Sequence, residues 1–170
     1  MGADAPFELD MGKLVEVSPS FGDASAIAVN IIVPLGAFVK RGKLGVVFGA
    51  DGGFFLTRNP DTVRSPDAAF VRKEHIPPGH NLRSFIPIAP DLAVEVLSAS
   101  NTHREIERKI ALYLAAGTTL VWVAQPLRQT VEVVRPGADR RLLRSGDVLD
   151  GEDVVPGFRL PLADIFDLFG

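Results

Sequence analysis

A glutamate inside an apolar strand pattern constrains this chain more than any other feature. Residues 92–97 read Leu-Ala-Val-Glu-Val-Leu, so Glu95 lies between two valines in a stretch typical of a central strand. A second acid, Asp67, falls within the strand pattern of residues 63–72. Burying an unpaired carboxylate is costly, so both acids are expected to have partners, and a divalent metal ion is the obvious candidate.

The spacing of the acids ranks them as candidate metal ligands. Side chains alternate along a strand, so Asp91 and Glu95 share one face but lie about 13 Å apart. They cannot hold one ion unless the strand bends. Asp67, on a neighbouring strand, comes within about 5 Å of Glu95 if the register allows it. Asp67 is therefore the first candidate partner of Glu95, and Asp91 is a possible additional ligand. An ordinary ion-paired sheet glutamate remains the alternative for Glu95.

A lysine on the next predicted helix completes the pattern. Lys109 lies at the edge of a buried stripe formed by Ile106, Ile110, Tyr113 and Leu114. Its aliphatic stem can pack on the sheet while its ammonium reaches the carboxylates. A surface pair with Glu105, four residues earlier, is the alternative. Two acids and a lysine on adjacent elements outline a metal-dependent phosphodiesterase. Tyr113 itself is predicted to be a core residue.

The hydrophobic periodicity predicts two main helices. The first covers residues 23–41, with a kink or early stop at Pro34 and a C-terminal cap at Gly42. The second covers residues 102–116 and ends at Gly117. Asn101 or Thr102 caps it, and Thr102 with Glu105 fits the pattern of a capping box. A short third helix is expected over residues 162–169.

The remaining patterns predict strands. They cover residues 7–17 around a turn, 44–48 paired with 53–56, 63–72, 92–97, 120–124 and 130–135, with short strands within 142–150 and 154–160. The strand–helix–strand run over residues 92–124 favours a parallel crossover, whereas the earlier strands are expected to be antiparallel. The predicted fold is α/β, a mixed sheet with a helix on each face, in one domain over residues 1–170.

Composition limits the classes of function. The 170 residues include no cysteine, which excludes disulfides and thiolate metal sites and favours a reducing cytoplasm. No signal peptide and no apolar run of about 20 residues is evident, so no membrane association is expected. The net charge of −3 argues against non-specific nucleic-acid binding. The mean hydropathy of +0.20 is high for a small domain and favours a homo-oligomer, most simply a homodimer.

Several motifs together resemble a known family. They are residues 61–71 with Ser65-Pro66-Asp67, residues 90–98 with Pro90-Asp91 and Glu95-Val96-Leu97-Ser98, Lys109 with Tyr113-Leu114-Ala115-Ala116-Gly117, Val121-Trp122-Val123, and residues 149–158. In this order they resemble the Uma-two type of restriction endonucleases, formerly a domain of unknown function. The resemblance covers nearly the whole chain.

The resemblance implies a fold and a chemistry. The family is similar to the P-D…(D/E)-x-K nuclease superfamily, which implies a restriction-endonuclease-like core. It implies that Asp67 and Glu95 are catalytic ligands of Mg²⁺ or Mn²⁺, that Lys109 is the catalytic lysine, and that the substrate is nucleic acid, DNA in the first instance. The activity implied is endonucleolytic hydrolysis of phosphodiester bonds.

Two positions depart from that pattern. The superfamily lysine stands two residues after the glutamate, where this chain has Leu97, and Lys109 matches the branches in which the lysine has moved to the following helix. Met11-Gly12-Lys13 stands where the family often has Asp-Gly-Glu. The alternative function is therefore a catalytically inactive binding or assembly module on a nuclease fold, with its carboxylates paired internally.

Overall fold

The computed structural model describes residues 7–16 and 21–169. The helices are α1 (Gly22–Gly42), α2 (His103–Ala115) and α3 (Leu162–Phe166). The strands are β1 (Phe7–Asp10), β2 (Lys13–Glu16), β3 (Gly45–Gly49), β4 (Phe54–Thr57), β5 (Thr62–Arg64), β6 (Ala68–Arg72), β7 (Leu92–Val96), β8 (Leu120–Gln125), β9 (Thr130–Val134), β10 (Arg141–Leu143), β11 (Val148–Asp150) and β12 (Arg159–Pro161). Short 3₁₀ turns lie at Lys73–His75 and Pro126–Arg128.

A mixed six-stranded sheet forms the centre of the fold. Its strand order is β10-β9-β8-β7-β6-β3, and β7 and β8 form its parallel pair, joined by α2 as the crossover. A four-stranded antiparallel sheet has the order β2-β1-β5-β4, and β11 pairs with β12. The predicted mixed sheet and the parallel crossover are confirmed.

The two long helices cover opposite faces of the central sheet. Side chains alternate along a strand, so neighbouring residues belong to different cores. Val94 of β7 packs in the core that contains the buried stripe of α1, including Ile31. Ala93, one residue earlier, packs in the second core with Ile110 of α2. The prediction of one helix on each face is confirmed.

Helix α1 neither stops early nor ends at the predicted cap. It continues through Pro34, because the buried Ile31 and Leu35 on either side anchor that turn against the sheet. Its C-terminal cap is Lys43 and not Gly42: Lys43 adopts the left-handed conformation with φ 52°, and its N–H bonds to the carbonyl oxygen of Lys40.

Helix α1 also corrects the expectation that the chain has no run long enough to cross a membrane. Of the helices in the described residues, α1 is the one that is long and apolar enough to cross a membrane. It has 21 residues and a mean hydropathy of 1.6 over its most apolar window. A third of that window is buried inside the fold, where Ile27, Ile31 and Leu35 pack in the first core. A core helix that packs against a sheet meets the same criteria as a membrane span.

Two strand predictions are wrong in their pairing or extent. The segments 44–48 and 53–56 do not form a hairpin, because β3 pairs with β6 and β4 pairs with β5. The turn around Asp51 instead carries the chain from one sheet to the other. The segment 63–72 is two strands, β5 and β6, separated at Ser65, Pro66 and Asp67. Proline has no N–H for a sheet ladder, and Asp67 therefore precedes β6 directly instead of lying within it.

The capping box at the start of α2 is confirmed and gives a first prediction. The Glu105 N–H donates to Thr102 Oγ1 over 3.3 Å, and the Thr102 N–H donates to Glu105 Oε2 over 2.8 Å. Replacing Thr102 with alanine removes a cap, and we expect the free energy of unfolding to fall by about 1 kcal/mol in urea titrations. Thr102→Ser keeps the hydroxyl and is the control; equal losses in both variants would contradict this role.

Candidate active site

The register of the central sheet brings Asp67 and Glu95 together. Strands β6 and β7 are antiparallel, with Ala68 opposite Val94. Continuing that register by one residue places Asp67 opposite Glu95. The Val96 N–H donates to Asp67 Oδ2 over 2.6 Å, which fixes the aspartate at the end of the ladder. The two acids that the sequence ranks first thus lie side by side, Asp67 directly before β6 and Glu95 within β7.

Both oxygens of Glu95 have partners from α2. Glu95 is only 4% exposed. Lys109 Nζ donates to Oε2 over 2.8 Å, and the Tyr113 hydroxyl donates to Oε1 over 2.7 Å. Lys109 and Tyr113 are four residues apart, so they lie one turn apart on the same side of the helix. The structure therefore places Lys109 at the carboxylates, and a surface pair with Glu105 does not account for its position.

Burial dominates the electrostatics of this cluster. Desolvation raises the pKa of Glu95, the charge of Lys109 opposes that rise, and the charge of Asp67 adds to it. Desolvation also raises the pKa of Asp67, against the hydrogen bond from Val96. For Lys109, burial lowers the pKa, but the charges of Glu95, Glu8 and Asp67 and the hydrogen bond to Glu95 together outweigh burial. The pKa is therefore raised and the ammonium stays charged at neutral pH.

Glu8 of β1 is a site residue that the sequence analysis missed. Its Oε1 accepts a hydrogen bond from the Ser65 N–H over 3.2 Å, and its Oε2 lies 3.5 Å from Arg64. Its negative charge raises the pKa values of Lys109 and Asp67. Nothing local in the sequence marks Glu8, because its position depends on the long-range pairing of β1 with β5.

A buried arginine holds the N-terminal hairpin against the site. Arg64 is 5% exposed, and it donates to the Leu9 carbonyl oxygen over 3.1 Å and lies 3.0 Å from Asp10. Asp10 in turn pairs with Arg108 of α2 over 2.7 Å. These contacts tie β1 to β5 and to α2 beside Lys109, and so keep Glu8 next to the cluster.

The position where the family often has a glutamate lies away from the carboxylates. Lys13 is the first residue of β2, an edge strand whose four residues are all exposed. It pairs with Asp10 across the turn. A glutamate at this point of the hairpin is therefore not part of the buried cluster formed by Asp67, Glu95 and Lys109.

Asp91, the possible additional ligand, is not brought to the cluster. Its Oδ2 accepts a hydrogen bond from the Arg72 N–H over 2.8 Å, and its Oδ1 lies 2.7 Å from His75 Nδ1. It precedes β7 at the end opposite Glu95, about 13 Å away along an extended strand. Its carboxylate is already satisfied by these partners.

The donor set of the cluster suits a hard divalent cation. Within the described part of the chain no group of three or more His, Cys, Asp or Glu side chains is arranged to hold a metal. Asp67 and Glu95 together provide two carboxylates whose pKa values burial raises, and a cation beside them would offset part of the cost of that burial. Mg²⁺ typically binds through one or two carboxylates and keeps several waters. The residues present therefore fit Mg²⁺ or Mn²⁺.

A comparison with protein families identifies the family of this chain. The model of the Uma2 family, described as "Putative restriction endonuclease", matches residues 1–163. The chain belongs to the Uma2 family. This confirms the resemblance found in the sequence motifs and supports a nuclease at the level of the family.

A solved structure shares the fold. It is the crystal structure of "a putative nuclease belonging to DUF820" from Anabaena variabilis ATCC 29413, with a TM-score of 0.81 and 23% sequence identity over 96% of this chain and 91% of that chain. At this identity the similarity supports the fold alone. Among curated proteins, none matches the chain.

The buried glutamate gives a second prediction, for metal-free protein. The folded-state pKa of Glu95 is raised above the ordinary 4.5, so folded protein holds this proton more tightly than unfolded protein. Its contribution to stability is therefore complete below pH 4.5 and is lost as the pH rises through the folded-state pKa. Glu95→Gln has no such proton. We expect the stability of the variant relative to wild type to rise over this range, by at most about 1.4 kcal/mol per pH unit.

Urea unfolding in chelator-treated buffer from pH 4 to pH 8 checks this expectation. The quantity to compare is the slope of the free energy of unfolding against pH. The glutamine also alters the hydrogen bonds to Lys109 and Tyr113, but that alteration shifts the free energy of unfolding by an amount that does not depend on pH. Parallel stability curves for wild type and Glu95→Gln would contradict a raised pKa at this position.

Proposed function

We propose that this Uma2 protein is a metal-dependent endonuclease that hydrolyses phosphodiester bonds in nucleic acid, DNA in the first instance. The observation that supports this most strongly is the convergence of Asp67, Glu95 and Lys109 at the adjoining ends of β6 and β7. Membership of a family described as restriction endonucleases supports the same chemistry. Asp67 and Glu95 are the proposed ligands of Mg²⁺ or Mn²⁺.

The proposed metal supplies one part of the chemistry. A divalent cation bound by carboxylates lowers the pKa of a coordinated water and polarises a phosphoryl oxygen. Asp67 is suited to its role as ligand because the Val96 N–H holds one of its oxygens and leaves the other without a hydrogen bond from the described residues. Glu95 is held by two donors on a rigid helix, so its carboxylate is oriented before any ligand arrives.

Lys109 is proposed to act on the substrate through its positive charge. Its raised pKa keeps it a cation at neutral pH, and its side chain remains 24% exposed and therefore within reach of a bound phosphate. An ammonium at this point can orient the attacking water or stabilise negative charge that develops on the phosphate oxygens. Lys109 approaches from α2, so it compensates for Leu97 at the usual position of the motif lysine.

A third prediction tests these roles in cleavage assays. Purified protein with Mg²⁺ or Mn²⁺ should cut at least one of single-stranded DNA, duplex DNA or RNA. Asp67→Ala and Glu95→Ala should abolish both cleavage and metal binding. Lys109→Ala should reduce the cleavage rate by about 10²- to 10³-fold, as for loss of one charge-stabilising donor, with nearly unchanged metal affinity.

Asp91→Asn is the matched control for the acidic variants. It also removes a buried carboxylate next to β7, but at the end of the strand away from the cluster. We expect it to keep metal binding and cleavage. Loss of cleavage in Asp91→Asn as severe as in Glu95→Ala would contradict the assignment, and so would the absence of cleavage by wild type on all of these substrates.

A second function is favoured by one observation. Both oxygens of Glu95 already have internal donors, so the cluster does not require a metal for charge compensation. A catalytically inactive binding or assembly module would use the same fold. A titration with Mn²⁺ distinguishes such a module from a nuclease. The module binds no Mn²⁺ at the cluster, and Glu95→Ala leaves its metal binding unchanged.

We also propose a cytoplasmic homodimer, which gives a fourth prediction. The high mean hydropathy suggests it, and Val29 and Val33 of α1 are 51% and 63% exposed in the single chain. Exposed apolar side chains on one helix are a common feature of interfaces between subunits. Light scattering at micromolar concentration should give twice the chain mass; the mass of a single chain would contradict the proposal.

A further inference from the structure

The Tyr113 hydroxyl contributes to the cluster, although neither the sequence motif nor the proposed mechanism assigns it a role. Tyr113 is fully buried, and its hydroxyl donates to Glu95 Oε1 over 2.7 Å. Burial raises the pKa of this hydroxyl well above its ordinary value, and the negative charge of Glu95 raises it further, so it remains a donor at any physiological pH. A buried tyrosine needs a partner for its hydroxyl, and here that partner is the proposed metal ligand.

The two donors to Glu95 differ in their freedom to leave. Lys109 has the more flexible side chain, it is 24% exposed, and its ammonium is also attracted by Asp67 and Glu8. Tyr113 has no exposed surface and packs among the aliphatic residues of the second core. If Lys109 turned towards a substrate phosphate, Glu95 would keep only its bond to Tyr113.

We propose that Tyr113 is a positioning residue that anchors Glu95 Oε1, so that Glu95 would keep its orientation as a ligand of the metal ion. This inference rests on the proposed function, because it assigns Tyr113 a role at the same metal site. Hydrogen-bonding partners of metal ligands orient those ligands, and their loss typically lowers metal affinity by about 10- to 100-fold. Tyr113 does not touch the substrate in this account and acts only through Glu95.

Tyr113→Phe tests the inference, because it keeps the ring and removes only the hydroxyl. Calorimetric titration with Mn²⁺ should show an affinity about 10- to 100-fold weaker than wild type. In cleavage assays the variant should need a correspondingly higher Mg²⁺ concentration for half-maximal rate, with an unchanged KM for the nucleic acid at saturating metal. Unchanged Mn²⁺ affinity in a folded variant would overturn the inference.

Ile106→Val is the matched control for a purely structural effect. Ile106 lies on the same buried stripe of α2 and in the same core, but it makes no hydrogen bond to Glu95. This variant should lose some stability and keep the wild-type Mn²⁺ affinity. If Ile106→Val weakens Mn²⁺ binding as much as Tyr113→Phe does, general loosening of the helix explains the effect and the inference is overturned.

The calorimetric measurement separates this inference from the proposed function. If wild type binds Mn²⁺ and cuts no nucleic acid, the nuclease proposal fails, while the comparison of Tyr113→Phe with wild type still decides the role of Tyr113. If wild type binds no Mn²⁺ at all, the metal site is absent and the role of Tyr113 as its positioning residue is overturned with it.

Discussion

The contact between Glu95 and Lys109 is the interaction on which the rest of the site depends. It joins the middle of the central sheet to α2 through a carboxylate that is only 4% exposed. Replacing a buried ion pair by apolar residues is often neutral or stabilising, whereas removing one partner alone costs about 3–5 kcal/mol. The pair is therefore weak evidence that these residues are present for stability. Its burial is consistent with the proposed roles of Glu95 as a metal ligand and of Lys109 at the phosphate.

The topology of the fold assembles the site. Strands β7 and β8 are parallel, so the chain must cross back over the sheet between them, and α2 makes that crossing on the face to which Glu95 points. The same face receives Asp67 because the register of β6 with β7, continued by one residue, places it opposite Glu95. One parallel and one antiparallel neighbour of β7 thus bring the acids and the lysine together from sequence positions 28 and 14 residues from Glu95.

The sequence predicted the parts of this arrangement that depend on local patterns. A few neighbouring residues were enough to predict each of three features: the alternation of side chains along β7, the capping box of α2 and the position of Lys109 at the edge of the buried stripe. The failures that affect the assembly of the two sheets and the site occurred where distant pairing decides the outcome. The turn at Asp51 looks like a hairpin turn but connects two different sheets, and Glu8 reaches the site only because β1 pairs with β5. Tyr113 was predicted as core and is buried, but periodicity says nothing about the partner of its hydroxyl.

Diffraction from crystals soaked in Mn²⁺ tests the central claim most directly, because the anomalous signal of manganese locates the ion without an assumption about activity. We expect one peak bound by both Asp67 and Glu95, with Tyr113 still bonded to Glu95 Oε1. A peak at Asp91 alone, or no peak at the cluster with Lys109 still paired to Glu95 in saturating Mn²⁺, would contradict it.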